Sequence, residues 1–166
     1  MQHVRVAITA HGREGEIHPM YGLWTNADYI ERSRALQWNF TGDALGILHY
    51  AEGDADAFEE AVADIPEVVG YELEPAGEGS FYVYIRDATT EPLGDMFGPV
   101  TSGGIVVVPP IDYRSDGTVV LSVFGPDGEV QSAVERIPDL IDLTVLQVGG
   151  LAGTEVAAES RLTDRQ

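Results

Sequence analysis

The sequence predicts an α+β fold built from two tandem βαββαβ halves packed as one domain. Strand-length runs with period-two alternation and helical stretches with one apolar face follow each other in the order β, α, β, β, α, β, and the same order then starts again. A constant offset of 72 residues brings Gly53 onto Gly125, Ala61 onto Ala133, Val62 onto Val134, Ile65 onto Ile137, Pro66 onto Pro138 and Gly77 onto Gly149. Each half, 1–77 and 78–150, would form a ferredoxin-like unit of four antiparallel strands with two helices on one face. Residues 151–166, small and polar after Gly149-Gly150, read as a linker leading into a helix.

In the first half, Val4, Val6 and Ile8 alternate with Arg5, Ala7 and Thr9 as a first strand, and a loop with glycine and histidine follows. Met20, Leu23, Trp24 and Ala27 at helical spacing predict a helix within 19–29, with Pro19 acceptable in its opening turn. Arg34 to Phe40 and Leu45 to Tyr50 read as a hairpin around Thr41-Gly42-Asp43. Asp54 to Asp64 is the clearest amphipathic helix, with Phe58, Ala61 and Val62 on one side and Asp56, Glu59 and Glu60 on the other. Pro66 stops it, and Val68 to Leu73 is the fourth strand.

The second half repeats the order. Phe81 to Ile85 is a strand, Glu91 to Val100 a helix, and Ile105 to Tyr113 and Thr118 to Phe124 form a hairpin around Ser115-Asp116-Gly117. A helix over Gly128 to Arg136 and a strand over Ile141 to Val148 complete it. The sheet faces left free of helices are rich in aromatic and β-branched residues. They are expected to be covered by each other or by a partner, which predicts close packing of the halves, a homodimer, or both.

Composition narrows the function. The 28 acidic residues face nine basic ones, all arginine, for a formal net charge of −19. Such a surface stays soluble when molar salt shortens the Debye length to about 3 Å, so a salt-in halophile is the expected source. Most carboxylates therefore read as solvated surface. There are no cysteines, which removes disulfides and thiolate-ligated metals. The longest apolar runs, Ile105 to Pro110 and Thr118 to Phe124, fall far short of the roughly 20 residues a membrane helix needs. With no secretory signal at the start, a cytoplasmic protein without membrane contact is expected.

No catalytic motif is present. Without lysine a phosphate-binding loop of the Gly-x-x-x-x-Gly-Lys type cannot be made, and Gly77-Glu78-Gly79 lacks the third glycine of a dinucleotide fingerprint. Ser102-Gly103-Gly104 precedes a strand where a nucleophile elbow needs a helix. His11 and His18 bracket Glu14 and Glu16, residue types that ligate metals, but their spacing matches no standard site and the loop reads as solvated. No metal or other cofactor is expected. His49, facing away from Tyr50, reads as a hydrogen-bonded structural histidine.

An aromatic cluster is the strongest candidate for a site. His18, Tyr21 and Trp24 open the first helix, Trp38 and Phe40 share a face of the second strand, and both tryptophans fall in the first half. Core packing accounts for much of this. An apolar pocket with polar tips is the functional alternative, and His18, Tyr21, Trp24, Trp38, Phe40 and His49 are its candidate ligand-binding residues. The matching helix of the second half has Met96 and Phe97 but neither tryptophan nor histidine, so a site should be asymmetric between the halves. Scattered arginines in so acidic a chain disfavour direct contact with nucleic acid.

The stretch His18-Pro-Met-Tyr-Gly-Leu-Trp-Thr-Asn-Ala-Asp-Tyr-Ile-Glu-Arg, then Leu36-Gln-Trp-Asn-Phe-Thr-Gly and Leu45-Gly-Ile-Leu-His-Tyr, resembles the N-terminal region of haloarchaeal regulators of the bacterio-opsin activator family. Leu162-Thr-Asp-Arg-Gln166 resembles the start of the helix-turn-helix module that follows in that family. The resemblance implies a non-catalytic sensor or dimerisation domain that answers a small-molecule or protein signal and reaches DNA only through a downstream helix-turn-helix. The rival reading is a haem-binding or small monooxygenase-like enzyme of tandem ferredoxin-like fold, with His18 or His49 as axial ligand.

Overall fold

A computed structural model describes residues 1–41, 44–101 and 103–150. The elements, in chain order, are β1 (Gln2–Thr9), α1 (Glu14–Ile17), α2 (Pro19–Asn26), β2 (Ile30–Thr41), β3 (Ala44–Gly53), α3 (Ala55–Ala63) and β4 (Val68–Gly77). They continue with β5 (Ser80–Ala88), α4 (Glu91–Thr101), β6 (Val106–Arg114), β7 (Val119–Gly125), α5 (Asp127–Glu135) and β8 (Asp142–Gly150). The loop expected after the first strand contains the short α1, and the second strand starts at Ile30, earlier than its alternation showed. Gly42 and Asp43 of the predicted hairpin turn lie outside the described residues, as does the predicted linker 151–166.

Local chemistry explains the boundaries. Pro19 opens α2, and the Nδ1 of His18, in extended conformation ahead of it, accepts the N–H of Met20. Asp54 caps α3 by accepting the N–H groups of Asp56 and Ala57 at 3.0 and 3.1 Å. Phe58 and Val62, four residues apart, turn one stripe of α3 inward. Gly53, before that cap, cannot be larger: a Cβ would run into the carbonyl oxygen of Tyr29, which accepts the N–H of Asp54. Pro109 and Pro110 have no N–H to give, and the β6–β7 ladder is interrupted between Val108 and Asp112.

The strands form one eight-stranded sheet in the order β4-β5-β3-β2-β6-β7-β1-β8, with every described pairing antiparallel. Two self-contained βαββαβ units would put β1 between β3 and β4, and β5 between β7 and β8. Instead β1 pairs with β7 and β8, and β5 pairs with β3 and β4. The sheet quartets and the sequence halves therefore do not coincide. A short ladder from Arg32–Ala35 of β2 to Ile111–Arg114 of β6 joins the quartets edge to edge.

The helices lie against one face. Val4, Val6 and Ile8 of β1 pack with Ile111, Val119, Leu93 and Val130 in one core cluster. Trp24, Phe58, Phe81, Val83 and Ile85 form a second. Full burial of side chains this size contributes roughly 1.5–3 kcal/mol each. On the opposite face Leu48, Tyr82 and Tyr84 stay about 40% exposed. Because the sheet is continuous, the two halves do not cover each other's free faces, contrary to the packing expected from sequence. Arg34 pairs with Asp112 at 3.0 Å there, and Arg32 reaches Glu52 and Asp112 at 3.9 Å, the surface ion pairs their charges favour.

Candidate functional site

Under the helices, where the quartets meet, a cavity of about 90 Å³ is lined mainly by apolar side chains from both halves. Helix α2 supplies Met20, Tyr21 and Trp24 with His18 at its cap. Leu93 and Met96 come from α4, His49 from β3, Asp87 from β5 and Tyr113 from β6. The register explains the convergence. Phe81, Val83, Ile85 and Asp87 occupy alternate, inward positions of β5, and Leu45, Ile47, His49 and Ala51 face the same way on β3. Tyr113 lies opposite Ser33 on the ladder that joins the quartets.

His18 is 2% exposed and fully engaged. Its Nδ1 accepts from Met20, so Nε2 carries the proton and donates to the carbonyl of Ala88 at 3.1 Å. Burial holds its pKa below the ordinary imidazole value, with the Ala88 contact and the charge of Glu67 acting weakly the other way. Thr90 fastens the same corner: its hydroxyl donates to the carbonyl of Ile17 and accepts the N–H of Leu93, tying α1 to the start of α4. Within the loop expected to be solvated, Glu14 and His18 are thus buried, while His11 and Glu16 are exposed. Glu14, 0% exposed, accepts from the N–H of Ala10 at 3.2 Å and from Asn26 Nδ2 at 3.2 Å, so two residues read as surface belong to the interior.

The aromatic residues are stacked in series. Trp24 lies between His49, at 4.5 Å between ring centroids, and Phe58, at 4.9 Å; His49 then meets Tyr113 at 5.7 Å, and Tyr113 meets Tyr21 edge-on at 6.3 Å. Four buried polar atoms in this lining have no hydrogen-bond partner among the described residues: Tyr21 Oη, Trp24 Nε1, His49 Nδ1 and Asp87 Oδ1. His49 is stacked on Trp24, and its Nδ1 is without a hydrogen-bond partner among the described residues. Such orphaned groups cost roughly 1–3 kcal/mol each unless a guest satisfies them.

Burial also sets the protonation states. It pushes His49 down to about 3, leaving a neutral ring. Burial, assisted by the charge of Glu67, pushes Asp87 up to about 7. The phenols of Tyr21 and Tyr113 are raised by burial and then by each other's neighbourhood, Tyr113 by Asp87 and Tyr21 by Tyr113 and Glu14. Among the described residues no three histidine or acidic side chains gather as a metal site.

Of the sequence candidates, the structure brings His18, Tyr21, Trp24 and His49 together at the cavity. Trp38 is half-buried against the first core cluster and is not in the lining, and the side chain of Phe40 lies outside the described residues. Sequence reasoning missed Asp87 and Tyr113, although Asp87 continues the inward phase of Phe81, Val83 and Ile85. It also placed the site in the first half alone, whereas Leu93, Met96 and Tyr113 come from the second.

Fold and site together define an antiparallel-sheet α+β domain with a buried apolar chamber carrying unsatisfied polar atoms. Residues 18–151 match the family model described as HVO_0513_N, N-terminal, and the chain belongs to that haloarchaeal family. The matched span begins at His18 and takes in the cavity walls except those from β1. No curated protein matches the chain. Among the described residues no helix is long and apolar enough to cross a membrane.

Proposed function

We propose that this chain is the non-catalytic regulatory domain of a transcription regulator, and that its cavity holds a small, mostly apolar signal molecule. The observation that carries the reading is the cavity itself: apolar walls with four unpartnered buried polar atoms, the pattern of a recognition chamber. Membership of a family described as N-terminal, and the resemblance of the sequence to the sensory region of bacterio-opsin activator-like regulators, agree with it. In this reading a ligand that binds one packing of the helix layer better than another shifts their populations, and the segment after Gly150 passes the shift to a helix-turn-helix. Dimerisation through the helix-free face of Tyr82, Tyr84 and Leu48 is the companion proposal for a cytoplasmic regulator.

We also read the strand order as two ferredoxin-like quartets that have exchanged first strands, since β5 stands where β1 would in one and β1 where β5 would in the other. The enzymatic alternative has less support: both nitrogens of His18 are committed within the protein, and His49 is wedged between Trp24 and Tyr113. Promoter occupancy by the longer regulator, with and without residues 1–150, tests the regulatory reading. Occupancy should respond to growth conditions only when the domain is present, and identical behaviour of the two proteins under all conditions would refute it.

A further inference from the structure

The cavity has a charge signature at one end. Asp87 is 4% exposed, lines the cavity, and leaves Oδ1 without a partner. Glu67, half-buried just before β4, accepts the N–H of Ala88 through its backbone carbonyl at 2.7 Å, and its charge bears on both Asp87 and His18. Among the described residues no arginine is in the lining, and Arg86, next to Asp87 in sequence, faces the opposite side of the sheet. The lining histidines do not supply a cation either. His18 is locked as a neutral tautomer by its two hydrogen bonds, and His49 is packed between rings away from water.

An anionic guest would meet like charge with no counter-ion, at a steep cost in a low-dielectric site. A neutral guest would satisfy hydrogen bonds but leave the acidic end uncompensated. An ammonium group supplies both charge and N–H donors to Asp87 Oδ1, with Tyr21 Oη placed as a further acceptor in the same lining. An alkyl remainder would lie along Leu45, Ile111 and Leu93. A water molecule needs roughly 10–15 Å³ of such space, so a chamber of about 90 Å³ suits a guest of roughly six non-hydrogen atoms.

We infer that the ligand of this cavity is a small organic ammonium compound held by Asp87, an inference that rests on the reading of the cavity as a ligand site. The test uses three probes of matched size, n-butylammonium, butan-1-ol and butyrate, titrated into the whole chain at constant molar KCl with Trp24 fluorescence and calorimetry as readouts. Butylammonium should bind at least about tenfold more tightly than butanol, and butyrate should not bind. Asp87→Asn should bring butylammonium down to the level of butanol or below, which separates the site from general attraction of cations to an acidic surface. Butanol binding as well as butylammonium, or an unchanged butylammonium affinity in Asp87→Asn, overturns the ammonium assignment and leaves the ligand cavity standing. Binding of none of the three overturns both. The wild-type comparison decides the matter even if the variant folds poorly.

Discussion

Replacing Asp87 by asparagine should stabilise the protein, and by an amount that depends on pH. In the unfolded chain the carboxyl titrates near 3.8; in the folded protein burial, with Glu67 adding to it, raises that to about 7. Below pH 3.8 the group is protonated in both states and costs nothing. As pH rises from there to about 7 the unfolded chain loses its proton while the folded one keeps it, so stability falls over that window and levels off above it. At about 1.36 kcal/mol per pH unit the full cost is about 4 kcal/mol, an upper value because the interior relaxes around the charge. Asparagine has nearly the shape of the protonated acid and never carries the charge. Urea unfolding of both proteins in molar KCl, at pH values from about 4.5 to 8, should show the variant's advantage growing to roughly 2–4 kcal/mol at the alkaline end. Glu67 and Tyr113 couple to Asp87; both are present in either protein, and the Tyr113 phenol, raised by burial, stays protonated throughout this range. A stability difference that stays constant across this range would refute the assignment of Asp87 as a buried, uncompensated acid.

Three further substitutions probe the framework. Phe58→Ala should cost about 3–5 kcal/mol in the same unfolding assay, because Phe58 is fully buried and stacks on Trp24 and Phe81; Trp24 emission should also shift as its support is removed. Asp54→Ala should cost about 1 kcal/mol through loss of the α3 cap, while Asp54→Asn should keep most of it. Gly53→Ala should be at least as damaging as the cap loss, since the end of the β2–β3 ladder at Tyr29 has no room for a methyl group; a melting temperature equal to wild type would show that this end of the ladder can open.

Much of the element content was legible because period and punctuation are local. The alternation of Val4, Val6 and Ile8, the stripe of Phe58 and Val62, and the stop at Pro66 all lie within a few residues of the structure they specify. Pairing is not local in this way. The inward rows Val4-Val6-Ile8 and Phe81-Val83-Ile85 are so alike in spacing that nothing in either says which quartet it joins, and the observed pairing of β1 with β7 and β8 was out of reach. The site was half legible for a similar reason. Local clustering of aromatic residues drew attention to Tyr21 and Trp24, but an acidic composition made each carboxylate look like surface. Asp87 differs from the exposed acids only in its phase along β5, and Glu14 only in contacts that bring Ala10 and Asn26 to it.

The pairing of β1 with β7 and β8 also bears on how the protein is made. Gln2 at the start of the chain finds its partner in Gly125, so the apolar row of β1 must wait, unpaired, while more than a hundred residues leave the ribosome. During that wait the row is open to wrong partners, β4 of its own half among them, and assembly should be slow for a domain of this size. Once closed, the arrangement resists separation. A protease cut in the connection between β4 and β5 would leave two fragments each holding the other's strand, and they would part only when the whole sheet opened.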